Sequence, residues 1–187
     1  MDNQNGARQP FAPITPPSWG AMACKRAFDI VCSLLGLVVL SPLLLVVSLL
    51  VAATSPGGVF FRQERIGKGG KPFRIFKFRS MRKDNAGLKI TTGNDSRITP
   101  VGRFLRKSKI DELPQLINVL VGDMSFVGPR PEVADYVSLY TPYQRQVLLV
   151  RPGITGLASI RFRNENDLLT ASTDPNRTYI EQIMPRK

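Results

Sequence analysis

The sequence predicts a helix-dominated α/β fold with a small β-hairpin, held at a membrane by one apolar segment. Three observations predict it. Residues 30–53 contain no charged side chain, two β-type runs flank the glycine turn GKGG at 67–70, and apolar residues recur at helical spacing beyond Val101. The order implies a disordered tail over 1–20, an interfacial and membrane helix over 21–55, and one cytosolic domain of ordinary size over 56–187.

The tail is polar and carries Pro10, Pro13, Pro16 and Pro17, with no basic region ahead of a short apolar core, so it does not read as a cleavable signal. AMACKRAFD at 21–29 begins an interfacial helix. Asp29 would be costly alone at a headgroup boundary and is expected to face polar groups or a basic side chain. The apolar run that follows is long enough to span a bilayer, for which about 20 residues suffice. Its midpoint, however, is Ser41-Pro42, and proline both removes a backbone donor and clashes with the carbonyl four residues back. Each arm reaches only about 18 Å, little more than half of a hydrocarbon core of roughly 30 Å. Lys25 and Arg26 precede the run, and Arg62, Arg65, Lys68 and Lys71 follow it, so both flanks carry the cytoplasmic signature. A helix broken at Ser41-Pro42 that enters and leaves by one face satisfies both flanks. A Pro-kinked anchor that crosses once fits the composition equally well. Either way the carbonyl freed by Pro42 needs a donor, and the Ser41 hydroxyl is suitably placed.

SPGG at 55–58 ends the helix. VFFRQERIG and KPFRIFKFRSM then read as two strands, the second alternating apolar residues with Arg74, Lys77 and Arg79 on a solvated face. Residues 84–99 form a polar loop. Phe104, Leu105, Ile110, Leu113, Leu116, Ile117 and Leu120 fit one or two amphipathic helices that Gly122 closes. GPRP at 128–131 fixes an arginine between two prolines. Residues 132–150 read as helical with a new start at Pro142, RPGITG at 151–156 as a turn, and LASIRFRN at 157–164 as a short strand.

Composition narrows the chemistry. Net charge is +12, which suggests anionic partners such as lipid headgroups or phosphorylated substrates. The absence of histidine rules out Ser-His and Cys-His machinery and any His-ligated metal. Acid, base and nucleophile must come from carboxylates, lysines or hydroxyls. Cys24 and Cys32 lie about 12 Å apart on a helix and cannot be bridged. The pair Asp111-Glu112 stands out, because Pro114 three residues on places Asp111 at a helix cap, where negative charge is favoured and backbone donors face a phosphate. One carboxylate can attack while the other holds a divalent cation. Arg103, Arg106, Lys107 and Lys109 precede the pair, and Lys77, Arg79, Arg130 and Arg151 supply further cations, as phosphoryl transfer requires. A basic run such as RFLRKSK also suits a leaflet-facing surface.

KRAFDI, the SP of the apolar run, QERIG, FKFRSM, IDELPQLINVLVGDMSFVGPRPE and RPGITGLA occur in this order across residues 25–158. Together they resemble the bacterial sugar transferase family, the catalytic core of the monotopic polyprenyl-phosphate phosphoglycosyl transferases, in its minimal form. The resemblance implies a re-entrant membrane helix broken at Ser41-Pro42, at the bacterial inner membrane with the catalytic domain on the cytoplasmic face. It implies that Asp111 attacks the β-phosphate of a UDP-sugar to give an aspartyl phosphosugar and UMP. Polyprenyl phosphate then accepts the phosphosugar, the first membrane step of glycoconjugate assembly. Glu112 would hold Mg²⁺, and Lys77, Arg106 and Arg130 fall at positions that contact phosphates, with Arg79 and Arg151 as further candidates. The implied partners are the UDP-sugar, polyprenyl phosphate and membrane lipids; a homo-oligomer is compatible, and nucleic acid is not expected. Two departures stand out: many members read TGWAQVNGRN where this chain has TGLASIRFRN, and members commonly continue past the position of Lys187. The rival functions are a glycosyltransferase releasing UDP and a non-catalytic basic scaffold.

Overall fold

A computed structural model describes residues 18–55, 57–82 and 97–187. The expected tail, but for its last residues, and most of the polar loop at 84–99 lie outside the described residues. Helix α1, Trp19–Thr54, opens on a Ser18 cap that accepts from the Ala21 N–H. It runs through Ser41 and Pro42 without interruption, where a break was expected. The reason is visible at the proline: its missing N–H would have bonded Val38 O, and Ser41 Oγ donates to that oxygen at 2.7 Å instead. The helix is long and apolar enough to cross a membrane, and only 11% of its most apolar window is buried. A core helix of a soluble protein would be mostly covered. Cys24 and Cys32 are free, as helical spacing requires.

Strands β1, Phe60–Ile66, and β2, Pro72–Phe78, form the expected antiparallel hairpin, with Gln63 opposite Ile75. Neither face of β2 is open. Ile75 packs with Val119 and Met124, while Phe78 on the other face packs with Val47, Val51 and Leu105. Helix α2, Pro100–Ser108, is capped by Thr99 Oγ1 and crosses the end of β2 at Gly102, where a Cβ would stand 2.0 Å from Ser80 O. Only glycine permits that approach. Helix α2 ends at Lys109, whose φ of 60° is left-handed, and the chain reverses into a 3₁₀ turn, Ile110–Glu112. Helix α3, Gln115–Val121, follows.

Downstream, two short elements differ from expectation. RPGITG contains β4, Gly153–Thr155, which pairs in parallel with β3, Ser125–Val127. Gly153 is required there, since a Cβ would lie 2.1 Å from Gly128 N. LASIRFRN begins not as a strand but as a helix, Leu157–Arg161, with Leu157 and Ile160 on one exposed face. Between β3 and β4 lie α4, Ala134–Ser138, and a 3₁₀ turn, Gln144–Leu149, in place of longer helix. Numbering Leu157–Arg161 as α5, the chain closes with α6, Glu165–Thr170, α7, Pro175–Thr178, and a terminal helical turn through Tyr179–Ile183 and Met184–Arg186. Leu169, Tyr179, Ile183 and Met184 make a separate small core under Tyr136, Tyr140 and Phe162.

Both ends of α1 are fastened to this domain. Arg26 donates to Val119 O at 2.6 Å and Leu120 O at 2.7 Å, capping the carbonyl end of α3. Asp29, only 2% exposed, accepts from Ser125 Oγ and the Phe126 N–H and lies 3.5 Å from Lys25 Nζ, the polar partners its position demanded. Farther along, Gly36 abuts Leu116, and Leu44, Val47 and Val51 join the core under β2 and α2.

Candidate active site

The reversal at Lys109 sets Asp111 and Glu112 on a tight turn facing β2. Asp111 does not cap α3: the N-terminal residue of that helix is preceded by Pro114, with no side-chain cap. Asp111 is instead 7% exposed, and its Oδ1 is buried without a hydrogen-bond partner among the described residues. Beside it, Glu112 Oε1 receives Lys77 Nζ at 2.8 Å and Arg130 Nη2 at 3.7 Å. Lys77 was expected on a solvated strand face. It shares the inward face of Ile75, and its side chain is 19% exposed.

The electrostatics separate the two carboxylates. Burial pushes the Asp111 carboxyl above the usual aspartate range, Lys77 opposing and Glu112 reinforcing the rise. Burial acts upward on Glu112 as well, but Lys77 and Arg130 outweigh it and hold Glu112 below the usual range. For Lys77 burial prevails over its attraction to Glu112, and its ammonium sits below the ordinary lysine range. Arg106 and Lys109 add positive potential at Asp111. The result is one buried carboxylate with an uncommitted oxygen, a second locked as an anion, and cations on several sides.

Arg79 and Arg151 are not among the cations facing the carboxylates. Arg79 Nε donates to Gly58 O at 2.8 Å and its Nη2 to Phe60 O at 3.2 Å, stitching the turn after α1 to the hairpin. Arg151 Nε donates to Gly122 O at 2.8 Å, at the end of α3 away from Asp111. Two residues that local pattern did not single out frame the site. Asn118, fully buried, donates from Nδ2 to Arg74 O and accepts from the Phe76 N–H, so that α3 holds β2 one residue before Lys77. Glu132 anchors the GPRP loop: it pairs with Arg65 at 3.6 Å and accepts from the Tyr179 hydroxyl, while Arg65 also donates to Pro131 O. That burial and the Glu132 charge drive the Tyr179 phenol well above its ordinary range and push Tyr140 up to about 12.

Among the described residues no group of three His, Cys, Asp or Glu side chains converges on a metal position. Mg²⁺ does not demand one, since it binds through one or two carboxylates plus substrate phosphates. Glu112, whose Oε1 alone is engaged by Lys77 and Arg130, fits that donor set.

A family model described as bacterial sugar transferase matches residues 20–186. UDP-glucose:undecaprenyl-phosphate glucose-1-phosphate transferase of Escherichia coli (strain K12) is 45% identical over 177 residues, 90% of this chain and 38% of that protein. UDP-N-acetylgalactosamine-undecaprenyl-phosphate N-acetylgalactosaminephosphotransferase of Aeromonas hydrophila is 44% identical over 141 residues, 73% of this chain and 33% of that protein. Exopolysaccharide production protein PSS of Rhizobium leguminosarum bv. phaseoli is 47% identical over 150 residues, 75% of this chain and 74% of that protein. The chain thus matches well under half the length of the first two and most of the third. With the family's pattern running from the start of α1 to the terminal turn, this chain belongs to the bacterial sugar transferase family.

Proposed function

We propose that this protein moves a phosphosugar from a UDP-sugar to polyprenyl phosphate in two displacements through Asp111. The observation that carries the reading is the buried Asp111 carboxylate with an unpartnered Oδ1, set among Lys77, Arg106, Lys109 and the Glu112–Arg130 pair. In the first step an Asp111 oxygen attacks the β-phosphorus. The new bond is carboxylate O–P, the bond between the β-phosphorus and the bridging oxygen breaks, and UMP departs with that oxygen and the electron pair. In the second step a phosphate oxygen of the polyprenyl carrier attacks the same phosphorus and frees Asp111. Lys77 and Arg130 neutralise the equatorial oxygens, held in place by Glu112 between turns. Glu112 would hold Mg²⁺ through the oxygen that Lys77 and Arg130 do not address, and that ion, when bound, supplies charge neutralisation at the diphosphate.

The same reading takes α1 as a re-entrant segment that enters and leaves the inner membrane by its cytoplasmic face. The domain grips α1 at Arg26, Asp29 and Gly36 and again from Leu44 to Val51. The step from Gly36 to Leu44 rises about 12 Å, far short of a hydrocarbon core of roughly 30 Å. Contacts from one domain to both ends of the helix support entry and exit by a single face. Maleimide labelling tests this: Cys24 and a Gly58→Cys site, in a Cys32→Ser background, react from the same side of sealed vesicles.

The mechanism is tested by mass spectrometry after exposure to a panel of UDP-sugars without acceptor. A covalent adduct of sugar-phosphate mass with release of UMP is the expected result, absent in Asp111→Asn. Release of UDP would assign a plain glycosyltransferase, and turnover in Asp111→Asn would remove the covalent step.

A further inference from the structure

We infer that the cavity behind the GPRP loop seats the first isoprenyl units of the acceptor lipid, with Arg130 at its mouth taking the phosphate. The inference rests on the function proposed above and assigns its acceptor to a place. The cavity measures about 320 Å³. Its apolar wall is built by Val127, Pro129, Val147, Leu157, Ala158 and Met184. Glu132, Tyr140, Gln144, Tyr179 and Lys187 also border it. They are turned mostly toward the protein: the Tyr179 hydroxyl donates to Glu132, Lys187 Nζ lies 3.2 Å from that hydroxyl and 2.9 Å from Glu165, Gln144 accepts from the Thr141 N–H and donates to Met184 O, and the Tyr140 phenol lies near Glu132. A sugar or a base needs polar partners turned toward it, whereas an apolar chain needs only the wall.

Arg130 gives the cavity its direction. It borders the cavity and reaches Glu112 with Nη2 at 3.7 Å, so a phosphate held by it from the cavity side lies beside the dyad. An occupant with an anionic head and a hydrocarbon body is complementary to a cation at one end and an apolar wall behind it.

The approach also faces the right way. Strand β3 lies against the start of α1, where Phe28 and Phe126 meet edge to face at 6.2 Å and Asp29 holds Ser125. Val127, the next residue, is 58% exposed, and Leu157 at the opposite lip is 88% exposed, with Ile160 at 66% one turn on. An apolar lip of this kind, beginning one residue after the contact of β3 with the start of the apolar helix, is suited to receive a chain from the headgroup region.

The test separates the two half-reactions and adds a binding measurement that needs no turnover. In Ala158→Trp, which fills the cavity, and Leu157→Asp, which charges its exposed lip, the KM for undecaprenyl phosphate in micelles rises at least tenfold. The UMP burst formed from a UDP-sugar without acceptor keeps its wild-type rate constant. Separately, in a Cys24→Ser, Cys32→Ser background, undecaprenyl phosphate slows maleimide labelling of Leu157→Cys at least fivefold, and adding Ala158→Trp removes the protection. A burst that slows in step with acceptor turnover would assign the cavity to the donor. Unchanged KM in both variants, or labelling blind to the lipid, would overturn the inference. Lipid protection in a protein that forms no UMP with any UDP-sugar would sustain the subsite while refuting the reaction.

Discussion

Replacing Asn118 with leucine takes from two main-chain groups of β2 the side-chain partner that each has. The Phe76 N–H loses Asn118 Oδ1 at 2.9 Å, and Arg74 O loses Nδ2 at 2.9 Å, both beside a side chain that is itself fully buried. Each buried unpaired group costs about 1–3 kcal/mol, so the two together cost about 2–6 kcal/mol, with little added by volume because leucine is close in size. Asn118→Asp keeps the acceptor for Phe76, loses the donor to Arg74 and sets a carboxylate against Asp123, whose Oδ2 now lies 3.3 Å from Nδ2. Its defect at neutral pH is therefore at least as large and shrinks as the pH falls and the new carboxyl protonates. Amide hydrogen exchange over residues 73–78 in micelles reads the effect directly. At about 1.4 kcal/mol per decade, the leucine variant loses at least about 30-fold in protection there, and Lys77-dependent turnover falls with it. A loss below about fivefold would mean that β2 is held by β1 and apolar packing alone, and that Asn118 has no part in placing Lys77.

Asp29→Leu removes the acceptor for the Phe126 N–H and Ser125 hydroxyl and costs about 2–4 kcal/mol, seen as a lower urea midpoint in micelles; Asp29→Asn, which keeps an acceptor, recovers most of it. Gly102→Ala drives a Cβ to 2.0 Å from Ser80 O and destabilises by about 1–3 kcal/mol or blocks folding, checked by thermal unfolding. Because burial raises the Asp111 pKa, its ionised form is a cost to the fold above that pKa, a cost relieved as pH falls through it. Asp111→Asn therefore raises the unfolding midpoint at neutral pH, and the gain fades in acid. The same shift puts the acid limb of the UMP burst above the ordinary aspartate range. Lys77, lowered by burial, sets an alkaline limb below the ordinary lysine range, and Lys77→Arg moves that limb upward. Glu112→Gln weakens the apparent Mg²⁺ affinity of the burst; an unchanged metal titration would refute that role.

Much of the fold follows from local chemistry, and what does not is non-local. The hairpin was legible because GKGG supplies its turn, and the helix end because SPGG stops it. The Ser41 hydroxyl was foreseen as the donor for the orphaned carbonyl, though not that this bond would leave the helix uninterrupted. Strand β4 reads as a turn in the sequence because three residues carry no periodicity and its partner lies 28 positions earlier. Local pattern puts Asp111 at a helix cap because the preceding reversal depends on Lys109 in a left-handed conformation, which a lysine does not advertise. The dyad, Lys77, Arg106 and Arg130 were legible as a concentration of charge. Arg79 and Arg151 belong to the same pattern, yet main-chain carbonyls claim them. The ties from Glu132 to Arg65 and Tyr179 span too much chain for any local signal.

Helix α3 acts as a spacer of fixed length. Arg26 grips its carbonyl end from the root of the apolar helix, and Asp111 and Glu112 precede its other end. Seven residues rise about 10 Å. How deeply the apolar helix settles therefore dictates the altitude of the two acids above the lipid surface, with no hinge between to absorb a change. On the proposed seating of α1 in one leaflet, a thinner or thicker leaflet would raise or lower Asp111 and Glu112 as one piece, and the proposed reaction would feel the lipid composition through height alone.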